Sequence, residues 1–502
     1  MTYEGFRPFH QMILARALVQ PEAPCVIDDK GQLNYRQFAQ RVRQWAAWLS
    51  RNNLGKGNRV ALLMTNSPDH LALMLALSAT GVVHLSLTLA DSPEINQRLI
   101  KTLGISSVIS DLAAEFPDCP VLNTAMSAPA KDDVEFELSG NCGPSDPWKI
   151  VLSSGSTGQP KMILQTQAME LGYHSRRPEW PATDGLRFLQ TVELRYAYGL
   201  RACLSVLVWG GTIVLSGRDA SIGNLANLLI KYRITHIAAT PFHGAGLAKR
   251  FASRHSRPAE LEYVSLAGSI ATQPIQNAVR GALCANLYID YGANEVGGIT
   301  VADPVLLAKH PDSIGVPVPG VEIGIVRADG TSASAGETGL LRVRGLNFPK
   351  EYIDNPQATA KAFRDGWFYP GDLASIGEHG EIYYHGRADD LINFNGIKIA
   401  PIDIEQALQS HPDVRQAIAF MIDHPQHQDI PCVAVTLVKA TSEQDLLRYA
   451  QSKLGRRAPR LVIMLSEMPT MGIGKPDRNA IRKLALNLLK KQRLAEASGR
   501  FS

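Results

Sequence analysis

What most constrains this chain is a repeated alternation of short apolar runs with stretches whose apolar positions recur at helical spacing. Val60 to Met64 reads as a short buried strand, Asp69 to Ala79 as a helix and Val82 to Leu87 as another strand. The pattern returns at Ile150-Val151-Leu152 and from Ile234 to Ala239. Strands alternating with helices predict parallel sheets covered by helical layers, an α/β fold. Ahead of them, Asn34 and Gln37 have the spacing of a capping box. Phe38, Val42, Trp45 and Leu49 then fall on one helical face, where Trp45 and Trp48 read as packing residues.

From about residue 318 the texture changes to short strands broken by Gly, Asp and Asn: Glu322 to Val326, Gly339 to Val343 and Glu381 to Tyr384. After Arg387 it changes again, with helices starting near Ile402, Thr441 and Asp477 and strands near Ala417, Val433 and Leu461. Thr441 with Gln444 has capping-box spacing. A chain of 502 residues exceeds what one core supports. The expected architecture is a large N-terminal domain, residues 1–388, of layered α/β subdomains plus a β-rich subdomain. A small α+β C-terminal domain, residues 389–502, follows it.

Composition removes several function classes. Lys and Arg total 51 against 47 Asp and Glu, a net +4 spread along the chain, so no nucleic-acid footprint is present. The cysteines at 25, 119, 142, 203, 284 and 432 form no C-x-x-C pair, which fits a reducing compartment rather than a zinc ribbon or redox motif. Met1 to Met12 carries Glu4, Arg7 and His10 and lacks a signal peptide's apolar core. Leu71 to Ala90 holds no charged residue, but Gly81 splits it into a helical and a strand-like half. A buried helix-turn-strand is expected there, with no membrane span and a cytoplasmic location.

Chemistry concentrates in a few segments. Ser153-Ser154-Gly155-Ser156-Thr157-Gly158-Gln159-Pro160-Lys161 follows a predicted strand and puts two glycines, four hydroxyls and a lysine on one loop. Backbone N–H groups, hydroxyls and an ammonium suit a polyphosphate, although Pro160 and the residue after Lys161 break the P-loop pattern. A plain Ser/Gly surface loop has the same composition. Tyr291-Gly292-Ala293-Asn294-Glu295 joins an aromatic, a tight turn and a carboxylate able to hold Mg²⁺. Asp372 follows Gly371 and suits a ribose diol; Arg387, Asp389 and Asp390 come next, with Gly396, Lys398 and Glu405 downstream. Lys475 stands between Gly474 and Pro476. The Asp423-His424-Pro425-Gln426-His427-Gln428-Asp429 run reads as a polar turn between strands, and Lys398 as a local turn cap.

In this order and spacing the segments resemble the adenylate-forming superfamily of acyl- and aryl-CoA synthetases, peptide-synthetase adenylation domains and luciferases. The resemblance runs from about Phe9 to Leu484. It implies that the C-terminal domain is mobile and that the cofactors are ATP and Mg²⁺. It also implies a thiol co-substrate, CoA or the phosphopantetheine of a separate acyl carrier protein. Ser153, Ser154, Gly155, Ser156, Thr157, Gly158 and Lys161 would form the phosphate loop and Glu295 the Mg²⁺ ligand. Tyr291, Gly292 and Asn294, with Gly268 and Ser269, would flank the nucleotide; Asp372 and Arg387 would hold the ribose. Asp389 is similar to the family's hinge and Lys475 to its catalytic lysine.

The resemblance places Tyr196, Ala197, Tyr198 and Gly199 along the acid, with Thr240, Pro241 and Phe242 as further walls. Amino-acid-activating members carry an Asp where Ala197 stands, and an ammonium buried without a counter-charge is costly. Aryl or aliphatic acids are therefore expected, with Arg195 or Arg201 either touching a polar tail or lying at the surface. Several positions depart from the family: Asn294 for Thr, Pro370 for Thr, Met162 for Gly, Gln167 for His and Asn393 for Lys. The sequence ends 24 residues past Arg478, so the thiol is expected from outside this chain. The expected activity is ATP-dependent formation of an acyl-adenylate and its transfer to that thiol. An amino-acid-adenylating enzyme, a degenerate nucleotide-binding scaffold and a luciferase-like oxygenase stay open beside it.

Overall fold

The alternation read from the sequence is realised as two parallel sheets. They are seen in a computed structural model that describes residues 6–89, 91–124, 138, 142–153, 160–176, 185–217, 219–394, 396–424, 428–470 and 476–498. The chain divides into two units, one of residues 1–322 with 343–368, the other of 323–342 with 369–502.

In the first unit a six-stranded sheet runs Val121–Asn123, Ser107–Ser110, Arg59–Leu63, Val83–Ser86, Pro147–Ser153, Lys161–Thr166. Its pairs are parallel except the last, where Pro147–Ser153 and Lys161–Thr166 form an antiparallel hairpin. The second sheet has Thr212–Leu215, Arg187–Gln190, His236–Ala239, Tyr263–Leu266 and Leu287–Ala293 as parallel neighbours. It continues antiparallel through Gly297–Ala302 and Ser313–Pro317. Strands Thr212–Leu215, His236–Ala239 and Tyr263–Leu266 are wholly buried, as expected of a sheet covered on both faces.

Local signals set the elements. The Asn34–Gln37 capping box opens helix Tyr35–Arg51, and Phe38, Val42, Trp45 and Leu49 are buried along it. Trp45 and Trp48 meet edge to face at 5.4 Å and Trp45 Nε1 donates to Asp69, which confirms packing. Helix Pro68–Thr80 starts on the Ser67 side chain and stops at Gly81, whose φ of +72° is left-handed. The uncharged run at Leu71 is therefore a buried helix-turn-strand. Among the described residues no helix is long and apolar enough to cross a membrane.

The second unit holds an antiparallel pair, Asp372–Ile376 with Ile382–Arg387, followed by a sheet ordered Ile397–Ile399, Ile392–Phe394, Gln428–Leu437, Val414–His424. Leu461–Met464 joins it parallel to Gln428–Leu437. Helices Pro401–Gln409 and Glu443–Leu454 bury Ile404, Leu408, Leu446 and Ala450 against Ile392, Val433 and Val462. The boundary expected at 388/389 falls inside this unit, where Ile402 Cγ2 lies 3.3 Å from the place a Gly386 Cβ would take. Helix Glu443–Leu454 is capped by Ser442, accepting from Asp445 N, rather than by Thr441. The shift puts an acid, Asp445, in the first turn, where the helix dipole favours it. Lys398 is an exposed strand residue opposite Asn393, so it caps no turn. The tip of the Asp423–Asp429 run, 425–427, lies outside the described residues. No cluster of metal-ligating side chains occurs among those described.

Candidate active site

Glu295 sits in the turn between strands Leu287–Ala293 and Gly297–Ala302. Its buried carboxylate accepts two hydroxyl bonds on the same oxygen, Oε1: from Ser153 at 2.6 Å and from Tyr352 at 2.9 Å. Ser153 ends one strand of the hairpin and pairs in register with Lys161, which begins the other. The segment Ser154, Gly155, Ser156, Thr157, Gly158 lies outside the described residues, but its two flanks are fixed. Lys161 Nζ stands 5.2 Å over the Tyr352 ring. Ser153, Lys161 and Glu295 are thus brought together.

The turn around Glu295 is held from behind by side chains that the sequence did not single out. Gln165 Nε2 donates to the Asn294 carbonyl at 2.9 Å, Tyr173 hydroxyl to the Glu295 carbonyl at 2.7 Å, and Arg176 Nη1 to the Val296 carbonyl at 3.0 Å. Three successive carbonyls are thereby fixed. Gly297, at φ +75°, completes the turn; a Cβ there would fall 2.6 Å from the Tyr173 ring. Asn294 Nδ2 donates to Leu152 O at 2.9 Å, so one of its N–H groups serves the scaffold rather than a phosphate.

Beneath Tyr173 lies an ion cluster. Glu170 is fully buried and pairs with Lys149 at 3.0 Å and Arg201 at 2.8 Å; the Arg201 guanidinium also stacks 4.0 Å from the Tyr173 ring centre. Arg201 also donates to Gln165 Oε1, so it belongs to this support. Burial alone would raise the Glu170 carboxyl, but Arg201 and then Lys149 outweigh it and hold it below the usual range. Burial pulls Lys149 down to about 8 against the opposing attraction of Glu170. Two of the family departures also find structural reasons. Gln167 exchanges hydrogen bonds with the Ser78 hydroxyl and carbonyl in the core, and Met162 packs beside Ile150 and Leu152.

Tyr291 is half-buried and pairs with Thr300 just before a bulge, while Gly292 faces Gly298. Gly268, at φ +89°, and exposed Ser269 follow strand Tyr263–Leu266. Tyr196 is the N-cap of helix Ala197–Trp209, and Ala197 is buried in its first turn. At Gly199 a Cβ would lie 2.2 Å from Val192 O, so only glycine lets the helix start this close to the preceding chain. Tyr198 hydroxyl is 3.0 Å from Ser265 Oγ. Thr240 is buried as the cap of helix Pro241–Ala252, whereas Phe242 is exposed.

In the second unit Arg387 Nη1 donates to Asp372 Oδ1 at 3.3 Å, across the pair of strands that carries both. Asp389 lies in the 3₁₀ turn Ala388–Asp390 directly after. Lys475 lies outside the described residues. The chain on either side of it is pinned: Thr470 bridges Pro476, and Asp477 N donates to Pro469 O at 3.0 Å. Arg478 then pairs with buried Glu405 at 2.7 Å.

The donor set at Glu295, one carboxylate with two hydroxyls and no thiol or imidazole, fits a hard cation such as Mg²⁺. Such an ion keeps several waters and shares its remaining positions with phosphates. Gln165, Tyr173, Arg176 and Tyr352 escaped the sequence reading because each is an ordinary residue type far along the chain from Glu295. Only the fold brings them to it.

Comparison with known proteins covers most of the chain. A family model described as AMP-binding enzyme matches residues 14–353, and one described as AMP-binding enzyme C-terminal domain matches 403–475. The chain is 28% identical over 500 residues to a 2-succinylbenzoate–CoA ligase of Geobacillus sp. (strain WCH70), covering 95% of this chain and 96% of that one. It is 27% identical over 489 residues to a feruloyl-CoA synthase of Amycolatopsis sp., covering 93% and 97%. Its fold is similar to that of the o-succinylbenzoate CoA synthetase of Bacillus subtilis in complex with an acyl-adenylate, with a TM-score of 0.84 at 23% identity, covering 95% and 98%.

Proposed function

The chain belongs to the AMP-binding enzymes, and from that premise we propose that it activates a carboxylic acid with ATP and passes the acyl group to a thiol. In the first step the acid's carboxylate oxygen bonds to the α-phosphorus while the bond to the bridging oxygen breaks, releasing pyrophosphate. In the second, a thiolate bonds to the carbonyl carbon and the bond to AMP breaks; the thiol proton goes to solvent. CoA is the thiol named for the related ligases, and a phosphopantetheinyl carrier protein presents the same group. The named substrates of those relatives are aryl acids, which makes an aryl acid the first class to try.

One observation carries the reading: a single buried carboxylate, Glu295, is fixed by Ser153 where the Ser/Gly/Lys loop begins. Glu295 would hold Mg²⁺, which when bound offsets charge on the phosphate oxygens. The 153–161 segment supplies hydroxyl, backbone and Lys161 donors to the polyphosphate, and Tyr291 a ring face for the base. Asp372, oriented by Arg387, accepts from the ribose hydroxyls. Lys475 steadies the anionic transition state, and Asp389 serves as the hinge between the two half-reactions. Lys475→Ala is expected to lower acid-dependent pyrophosphate release by about a hundred-fold or more, with ATP affinity within a few-fold of wild type. Release that persists near the wild-type rate would refute the role of Lys475. No release from wild type with any acid, while ATP still binds, would favour a nucleotide-binding scaffold.

A further inference from the structure

We propose that Asp290, linked through Ser265 to Tyr198, selects acids that carry a hydrogen-bond donor away from the reacting carboxylate: a ring hydroxyl or a protonated amine. This rests on the reading that the segment from Tyr196 to Gly199 borders the acid.

Register places Gln190, Ala238, Ser265 and Tyr288 in one row across four neighbouring strands. Asp290 is two residues beyond Tyr288 and so on the same face. Ala238 and Tyr263 of this face join the core cluster that contains Leu200, Ala202 and Cys203 of helix Ala197–Trp209, and Tyr198 and Tyr288 pack at its margin. The row therefore faces the start of that helix. It also lies near the carboxyl ends of parallel strands, where open α/β sheets take their ligands.

The hydrogen bonds have a direction. Ser265, fully buried, donates its hydroxyl to Asp290 Oδ2. Its oxygen is then the acceptor for Tyr198 hydroxyl at 3.0 Å. Both donors run toward Asp290, and the chain ends in a negatively charged acceptor. Asp290 and Tyr198 are each half-buried, so the buried link joins two partly open ends. A carboxylate offers about four lone-pair positions, enough for a guest's donor beside the protein's own bonds. As an anion at a partly open end, it favours a donor on the guest and disfavours a second carboxylate there. At the other end of the row Gln190 is 1% exposed, and its Nε2 has no partner among the described residues. Only the methyl of Ala238 stands between Gln190 and Ser265 in the row. Tyr288, stacked at 4.5 Å on Tyr263, gives the same face a flat aromatic flank suited to a ring.

The test measures kcat/KM for acid-dependent pyrophosphate release with benzoate, cinnamate, their ring-hydroxylated and ring- or side-chain-amino derivatives, and matched aryl dicarboxylates. Wild type, Asp290→Asn and Asp290→Ala are compared, with melting temperature and ATP binding as folding controls. Wild type should prefer a donor-bearing acid over its parent by roughly ten-fold or more and use dicarboxylates poorly. Asp290→Ala should bring that preference to within about two-fold, with the larger loss in kcat/KM falling on the donor-bearing acid. Asp290→Asn, which can still accept from Ser265, should chiefly relax the exclusion of dicarboxylates. The hydroxyl and amino arms tell which donor is taken. A wild type indifferent to donors, or variants that slow every acid equally, would overturn the proposal while leaving the activation chemistry standing. Silence with every acid would instead overturn the function reading, and this proposal with it.

Discussion

Glu295 shows how one residue's chemistry depends on very few contacts. Ser153 and Tyr352 both donate to Oε1, which orients the carboxylate and leaves Oε2 outside those two bonds. Glu295→Gln keeps an acceptor for both hydroxyls and removes only the charge. The fold should therefore survive with little change in melting temperature, while the Mg²⁺ concentration needed for half-maximal pyrophosphate release rises by about ten-fold or more. A magnesium titration of variant and wild type checks this, and an unchanged midpoint would remove Glu295 from the metal. Asp372 and Glu295 could be singled out from the sequence because each is a carboxylate close to a glycine turn. Asp290 could not. It stands one residue before Tyr291 in an otherwise ordinary strand, and only the register with Ser265 gives it a partner.

At the scale of elements, what matters is how helix Gln167–Ser175 and the residue after it grip the Glu295 turn. Tyr173 lies between two guanidiniums, Arg201 at 4.0 Å and Arg176 at 5.4 Å from its ring centre, and its hydroxyl reaches Glu295 O. Arg201 comes from helix Ala197–Trp209, whose start carries Tyr196 and Tyr198, so the two helices share one buried anion, Glu170. Tyr173→Phe removes a single hydroxyl and leaves the ring stack. The expected result is a Mg²⁺ requirement raised by a few-fold and lower turnover at limiting Mg²⁺, with KM for the acid nearly unchanged. If only thermal stability moved, the hydroxyl would be structural and without influence on the metal position. The elements themselves were readable because capping and burial are local: Asn34 with Gln37 and the apolar face behind them define a helix without outside help. Support for the turn was unreadable because Gln165, Tyr173 and Arg176 act on backbone carbonyls more than a hundred positions away. Thr441 was misread as a cap for a related reason, since two adjacent hydroxyl residues satisfy the same spacing and the first-turn acid decides between them.

The whole molecule carries its titrating groups unevenly. In the first unit burial lowers His10, His70, His174 and His236 to about 4 each, and burial aided by Lys149 lowers His84 to about 3. Unfolded, these rings titrate near their ordinary value of about 6.5. Between that value and the folded one, the unfolded chain binds protons that the folded unit refuses. Stability is therefore fully present above about pH 6.5 and is lost as pH falls toward 4, by about 1.4 kcal/mol per pH unit for each proton taken up on unfolding. In the second unit the sign is opposite for Asp403 and Glu405. Burial raises both carboxyls, so the folded form takes up protons first and gains stability as the solution is acidified. The six tryptophans, at 45, 48, 148, 180, 209 and 367, all belong to the first unit, so tryptophan fluorescence reports that unit alone. Its melting temperature should fall by at least about 5 °C between pH 7.5 and pH 5. A transition seen by circular dichroism but silent in fluorescence should fall less or stay in place. The histidine assignment is wrong if the fluorescence midpoint stays flat across that range. If both transitions drop together, the two units unfold as one.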